Sequence, residues 1–173
     1  MIVNDRHLKL QAKLGMVQPF TPANVQGSSI DLTLGSHIQI ESPSVEAQWL
    51  GIDMSDQGYQ LSPGEFILAH TEETIQVPTD CAAMVLLRSS AARAGFEHSL
   101  AGWCDPGFNG QITLELRNNL RFHPLLIAPG MRLCQLVVHK LQDTAVDHYG
   151  VRGNYQHQAG ATLSNLNFDR EAA

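Results

Sequence analysis

The chain lacks a basic excess: 11 Lys and Arg face 17 Asp and Glu, a formal net charge of −6. Long polyanions are bound by cationic faces or stripes, so nucleic acid is not an expected partner. A small anion needs only a local positive pocket and stays open. Cysteine is scarce, with Cys81, Cys104 and Cys134 odd in number and widely spaced. That argues against a disulfide framework and predicts buried, reduced thiols in a cytoplasmic protein. No apolar run is long enough to cross a bilayer, and the N-terminus Met1-Ile2-Val3-Asn4-Asp5-Arg6 has no apolar signal core. No membrane partner is expected. Repeats, linkers and low-complexity tracts are also missing. With 173 residues, 43% hydrophobic and 16% charged, residues 1–173 read as one domain large enough to bury a core.

What is present is mostly a period of two. Residues 4–14 read as a short helix, capped by Asn4 or Asp5, with Leu8, Leu10 and Leu14 as its apolar positions and Gly15 as its stop. After it, Ile30, Leu32 and Leu34 alternate with Asp31 and Thr33, and Ile38 and Ile40 with His37 and Gln39. Further strands are predicted at 65–70, 74–77, 82–87, 111–117 and 133–141, separated by Pro63-Gly64, Pro78, Pro106-Gly107, Asn118-Asn119 and Pro129-Gly130. Many short strands with turns between them suggest a barrel or sandwich. From Tyr149 onward the chain is polar and rich in Gly, Gln and Asn. It reads as an arm, about 149–173, that orders over a ligand or a neighbouring subunit.

The chemistry concentrates in residues 88–118, RSSAARAGFEHSLAGWCDPGFNGQITLELRN. Arg88-Ser89-Ser90 before small helix formers would gather N–H groups, hydroxyls and a guanidinium, a recipe for holding phosphate. The same residues also suit an ordinary capped helix. In Ala101-Gly102-Trp103-Cys104-Asp105-Pro106-Gly107-Phe108, glycine and proline build a tight loop that brings Asp105 near Phe108. A carboxylate can accept from a sugar hydroxyl and a ring can pack on the sugar, but a plain hairpin turn fits as well. In residues 111–117, Ile112, Leu114 and Leu116 share one strand face, with Thr113, Glu115 and Arg117 on the other. Glu115 therefore faces either solvent or a pocket.

This stretch resembles the signature region of the dCTP deaminase family in the dUTPase-like superfamily, and the likeness spreads over nearly the whole chain in order. Residues 25–35 (VQGSSIDLTLG), 61–69 (LSPGEFILA) and 129–136 (PGMRLCQL) match the family's strand motifs. Tyr149-Gly150 and Tyr155-Gln156-His157-Gln158-Ala159-Gly160 resemble its nucleotide-covering arm. The resemblance implies a mainly β fold, a dUTPase-like distorted β-barrel with short helices, assembled as a homotrimer with sites between subunits. It implies hydrolytic deamination of dCTP to dUTP, with Glu115 as general acid/base. Ser89 and the Ala101 carbonyl would hold the attacking water, and Arg93 would order the site. Asp105 would bind the deoxyribose 3′-hydroxyl beside Phe108. Arg88, Ser90, Tyr149 and Gln158 would hold the triphosphate together with Ser89, and Tyr155 would act from the arm. Mg²⁺ would ride on the phosphates rather than on protein ligands.

The Gly102-Trp103 pair resembles the Gly-aromatic form of bifunctional members rather than the His-Arg form of many deaminase-only members. It implies dUMP and pyrophosphate as end products, with dUMP available for thymidylate synthesis. Trp103 is thereby a substrate-site residue as well. Four departures from the family pattern bear on pocket shape and phosphate grip: Leu87 for Gly, Leu100 for Thr, Asn154 for Lys, and a loop from Gly95 to His98 that is one residue short. Two other readings use the same residues: a dUTPase or other dNTP pyrophosphohydrolase, and a non-catalytic nucleotide-binding regulatory homologue. His70-Thr71-Glu72 fits half of the zinc deaminase signature, but no two cysteines have the spacing of the other half. No zinc is expected, and His70 reads as a strand-end residue.

Overall fold

The computed structural model of the chain describes residues 1–44, 47–99 and 101–166; the Leu100 departure lies outside them. In chain order the elements are α1 (Asp5–Gln11), β1 (Val17–Gln18), β2 (Ile30–Thr33), β3 (His37–Glu41), β4 (Trp49–Asp53), β5 (Tyr59–Leu61) and β6 (Phe66–Gln76). There follow β7 (Cys81–Leu87), α2 (Ser89–Ala94), β8 (Phe96–His98), β9 (Trp103–Cys104), β10 (Asn109–Asn118), β11 (Leu125–Ile127), β12 (Arg132–Lys140) and α3 (Tyr149–Arg152). The fold is mainly β with short helices, as the alternating pattern requires. The strands form a six-stranded sheet, β4-β3-β6-β10-β8 with β1 also on β6, a four-stranded sheet, β2-β12-β7-β9, and the pair β11-β5. The described strands surround a shared core as separate sheets rather than as one continuous hydrogen-bonded ring.

Alternation explains the core. Ile30 and Leu32 of β2, Ile67, Ala69 and Ile75 of β6, Leu114 and Leu116 of β10, and Leu136 and Val138 of β12 are all buried. Each of the Val, Leu and Ile side chains among them contributes about 1.5–3 kcal/mol on burial. The three cysteines are free and buried.

The helix reading holds only in part. Asn4 is the N-cap and accepts from the His7 N–H, and Gly15 (φ 105°) breaks the helical backbone within a π turn at Ala12–Met16. Leu8 is buried, but Leu10 and Leu14 are exposed, because the helix packs through one narrow stripe.

Two strands expected at 65–70 and 74–77 are one, β6, because its polar middle is buried and bonded. The Thr71 hydroxyl donates to the Glu73 carbonyl (2.8 Å) and accepts from the Ile112 N–H (2.9 Å). The β6–β10 register shifts between Gln111 and Thr113, and the hydroxyl replaces the ladder partner Ile112 lost there. Glu73 accepts from the Thr33 N–H (2.9 Å) and hydroxyl (2.9 Å), tying β6 to β2.

His70 is likewise in mid-strand, not at a strand end. Its Nδ1 lies 2.9 Å from the Thr71 carbonyl and its Nε2 accepts from the His37 N–H at 3.4 Å. Both ring nitrogens are engaged within the sheet.

Candidate active site

β10 carries the central carboxylate. Ile112, Leu114 and Leu116 point into the core, and Thr113 and Glu115 occupy the opposite face, half-buried. Beside them on β6, Glu115 pairs with Leu68 and Arg117 with Phe66. This face is the floor of a cavity of about 610 Å³, a size that suits a small-molecule ligand. One wall is the 101–108 loop, which contributes Ala101, Trp103, Asp105 and Phe108. The cover comes from the arm, through Tyr149, Tyr155, Gln158 and Thr162. Trp49 and Phe66, packed edge to face at 6.2 Å, add apolar surface that the sequence pattern did not single out.

Glu115 Oε2 is buried without a hydrogen-bond partner. Burial raises the Glu115 carboxyl above its ordinary value; its backbone N–H and the charge of His98 pull it back, by less. A carboxyl shifted upward, with an idle oxygen in a cavity, is equipped to take and return protons. Cys104 also lines this cavity, but burial pushes its thiol up to about 12. It stays protonated and is no nucleophile.

The loop beside Glu115 is held by close backbone contact. The Val85 N–H donates to the Gly102 carbonyl (2.7 Å), and a Cβ on Gly102 would lie 2.1 Å from the Val85 carbonyl oxygen. Only glycine fits there. Beyond the loop, Trp103 Nε1 donates to Asp105 Oδ1 (3.0 Å). Phe108 and Tyr149 meet edge to face at 5.7 Å, so the aromatic expected beside the sugar is itself held by the first residue of the arm.

The arm was expected to order over a ligand or a neighbour; through residue 166 it packs on its own chain, along β10. The His157 N–H donates to the Asn109 carbonyl (2.6 Å) and the Gln111 N–H to the Gln158 carbonyl (3.0 Å). Gln158 Nε2 donates to the Gln111 carbonyl and its Oε1 accepts from the Thr162 hydroxyl. The Gln158 amide, expected on the triphosphate, therefore joins arm to strand. Tyr149 and Tyr155 hydroxyls accept from the Tyr155 and Asn165 N–H groups. Thr113 and Thr162 complete this seam; the Thr113–Glu115 spacing was the available signal for Thr113.

The remaining predicted residues lie elsewhere. Ser89, Ser90 and Arg93 are exposed on α2, outside this cavity. Arg88, at its N-cap, points Nε to Asp31 Oδ2 (3.2 Å) and donates from Nη1 to the Arg132 carbonyl (3.2 Å). Arg132 Nη1 reaches the same carboxylate oxygen at 3.5 Å. Asp31, placed outward by simple alternation, is buried beneath these two guanidinium groups.

Within one chain, then, the residues expected around the nucleoside come together near Glu115 and the α2 group stands apart. Leu87 lines a second cavity of about 230 Å³, with Trp103 and His98, rather than the Glu115 cavity. His98 is another residue the sequence did not flag; it is buried, and its Nε2 has no partner. Asn154 is exposed beside Arg152, which pairs with Asp147. Among the described residues, no group of three or more His, Cys, Asp or Glu is placed to hold a metal ion, and no helix is long and apolar enough to cross a membrane.

Comparison with known proteins places this geometry. The family model described as dCTP deaminase-like matches residues 2–141. A Persephonella marina protein named "dCTP deaminase, dUMP-forming" is 38% identical, aligned over 99% of this chain and all of that one. A Dictyoglomus thermophilum protein of the same name is 39% identical over 98% of this chain and 96% of its own. Among solved structures, the 2′-deoxycytidine 5′-triphosphate deaminase of Agrobacterium tumefaciens superposes with a TM-score of 0.68 at 21% identity, covering 80% of this chain. This chain spans 48% of that longer one, and at this identity the likeness speaks for the fold. With the matched model covering most of the sequence and full-length relatives aligned through the arm, the chain belongs to the dCTP deaminase-like family.

Proposed function

We propose that the protein deaminates dCTP hydrolytically, dCTP + H₂O → dUTP + NH₃, and then cleaves the nucleotide, dUTP + H₂O → dUMP + pyrophosphate. The observation that carries the first step is the buried, unpartnered Glu115 Oε2 in a nucleotide-sized cavity. Glu115 takes a proton from the water that adds to C4 and delivers protons to the ring nitrogen and the departing amine. The Ala101 carbonyl and the Ser89 hydroxyl hold that water. Asp105 accepts from the 3′-hydroxyl, and Phe108 packs beside the sugar.

Ser89, Ser90, Arg88 and Arg93 act across a subunit boundary in a homotrimer. The separation of α2 from the Glu115 cavity within one chain supports this: a site divided in the monomer is completed by a neighbour. Mg²⁺ enters on the triphosphate and neutralises its charge. Residues 1–173 act as one domain, with the arm 149–173 closing over the nucleotide in the cytoplasmic pool. The second step is supported by the dUMP-forming relatives and by Gly102-Trp103, whose glycine the fold requires.

Chromatography of a dCTP–Mg²⁺ reaction tests this, with dUMP and pyrophosphate as the expected products. Accumulating dUTP without dUMP removes the second step. Attack on dUTP but not dCTP, or conversion of dCTP to dCMP, removes the first. Light scattering is expected to give a trimer, and an active monomer would refute the shared site.

A further inference from the structure

Asp105 is not the only polar group at its end of the loop. The Trp103 indole Nε1–H donates to Asp105 Oδ1 at 3.0 Å. Cys104, between them, is buried, whereas Trp103 at the start of β9 and Asp105 just after it are both exposed, so the two flanking side chains project to the same outward side. Their backbone is fixed from below: Trp103 pairs with Met84 of β7, and Gly102 presses on the Val85 carbonyl. An indole nitrogen is a donor only. It engages Oδ1 and leaves Oδ2 without a protein partner among the described residues.

The indole is also poorly placed for a packing role. Trp103 is 56% exposed, and it edges both the Glu115 cavity and the smaller cavity that holds His98. A large aromatic left this open, with its single polar atom bonded to a site carboxylate, is oriented by that bond more than by the core. Phenylalanine at the same position would supply a similar ring and no donor.

We infer that Trp103 is a positioning residue: its N–H fixes the Asp105 carboxylate so that the free oxygen meets a sugar 3′-hydroxyl, which makes Trp103 a determinant of selection for nucleotides carrying that group. The inference rests on the reading of Asp105 given above. The bond restricts rotation of a surface carboxylate that would otherwise sample several rotamers, and a preset acceptor costs less to order on binding. Because the donor hydrogen-bonds Asp105 and not the nucleotide, removing it affects only ligands that use Asp105.

The test compares dCTP with 2′,3′-dideoxycytidine triphosphate, each with Mg²⁺. Equilibrium binding is measured in a Glu115→Gln background, which is expected to bind without turnover. With Trp103 present, dCTP binds more tightly than the dideoxy nucleotide. Trp103→Phe is expected to weaken dCTP binding roughly three- to tenfold, the range of one hydrogen bond, and to leave dideoxy binding unchanged. That unchanged binding also shows the variant to be folded. In an Asp105→Asn background, Trp103→Phe should then have no further effect on dCTP. Equal weakening of both nucleotides would assign Trp103 to packing and overturn the inference, as would undiminished dCTP binding or a further loss on top of Asp105→Asn. If the Trp103 protein binds the two nucleotides equally, or neither, the reading of Asp105 itself fails and the inference with it.

Discussion

Glu115 and His98 stand one register step apart on paired strands, with His98 opposite Leu116, and each keeps one buried side-chain atom without a partner. His98 draws the Glu115 carboxyl down, but desolvation outweighs it, and the net shift is upward. Glu115→Gln keeps the shape and removes the proton carrier. Deamination should fall by at least ~10²-fold while dCTP still binds; near-normal turnover would end the assignment.

The same shift fixes a pH dependence. Between the ordinary carboxylate value and the raised folded value, the native state holds more protons than the unfolded one, so stability falls as pH rises through that window. Above the folded value the penalty of the buried charge is complete. Glu115→Gln should therefore melt higher than the parent at pH 8. The two should converge in acid, below both values. Thermal melts across that range decide it, and a variant less stable than the parent at pH 8 would contradict the direction. In turnover, the acidic limb of kcat/KM should lie above the usual carboxylate range.

The seam between arm and β10 includes the Thr162 N–H on the Thr113 hydroxyl at 3.2 Å and the Gly160 N–H on Gln111 Oε1 at 2.6 Å. Thr113→Val should raise KM for dCTP and lower stability by about 1–3 kcal/mol, the worth of the two hydrogen bonds its hydroxyl shares with Thr162. Deleting residues 150–173 should cost activity and leave the strand signal of circular dichroism in place. Loss of the sheets on deletion would show instead that the arm belongs to the folding core.

At Gly102 the constraint is steric. Gly102→Ala places a Cβ where the Val85 carbonyl already stands, and the strand or the loop must move. We expect at least ~1–3 kcal/mol of destabilisation, the range for overpacking, read by urea titration. A fully stable variant would show that β9 can lift from β7 without loss.

Strand periodicity carried much of this architecture. β2, β3, β7, β10 and β12 follow from alternation, and Glu115 lies on the face opposite Ile112, Leu114 and Leu116 as that alternation requires. β9, only two residues long, falls below the length at which a period can be read. The break expected within β6 fell at Thr71–Glu73; the partners of Thr71 and Glu73, Ile112 and Thr33, are distant in sequence, so their burial has no local signature. Asp31 misled for the same reason, since Arg88 and Arg132 reach it only after β7 and β12 have paired. The resemblance named candidate site residues, but no local pattern could show that Glu115 and α2 are apart within one chain, or that the Gln158 amide bonds to β10. Such placements depend on how sheets and arm dock.

Two guanidinium groups over one buried carboxylate leave a surplus positive charge at Asp31, Arg88 and Arg132, on a molecule whose total charge is −6. At physiological ionic strength both fields fade over about 8 Å, so an approaching anion responds to the charges within about that distance of where it lands. A compact anion can fit inside that radius, whereas most of an extended polyanion would lie outside it. The positive surplus at this cluster is therefore a local feature of the surface, and added salt weakens any attraction it exerts.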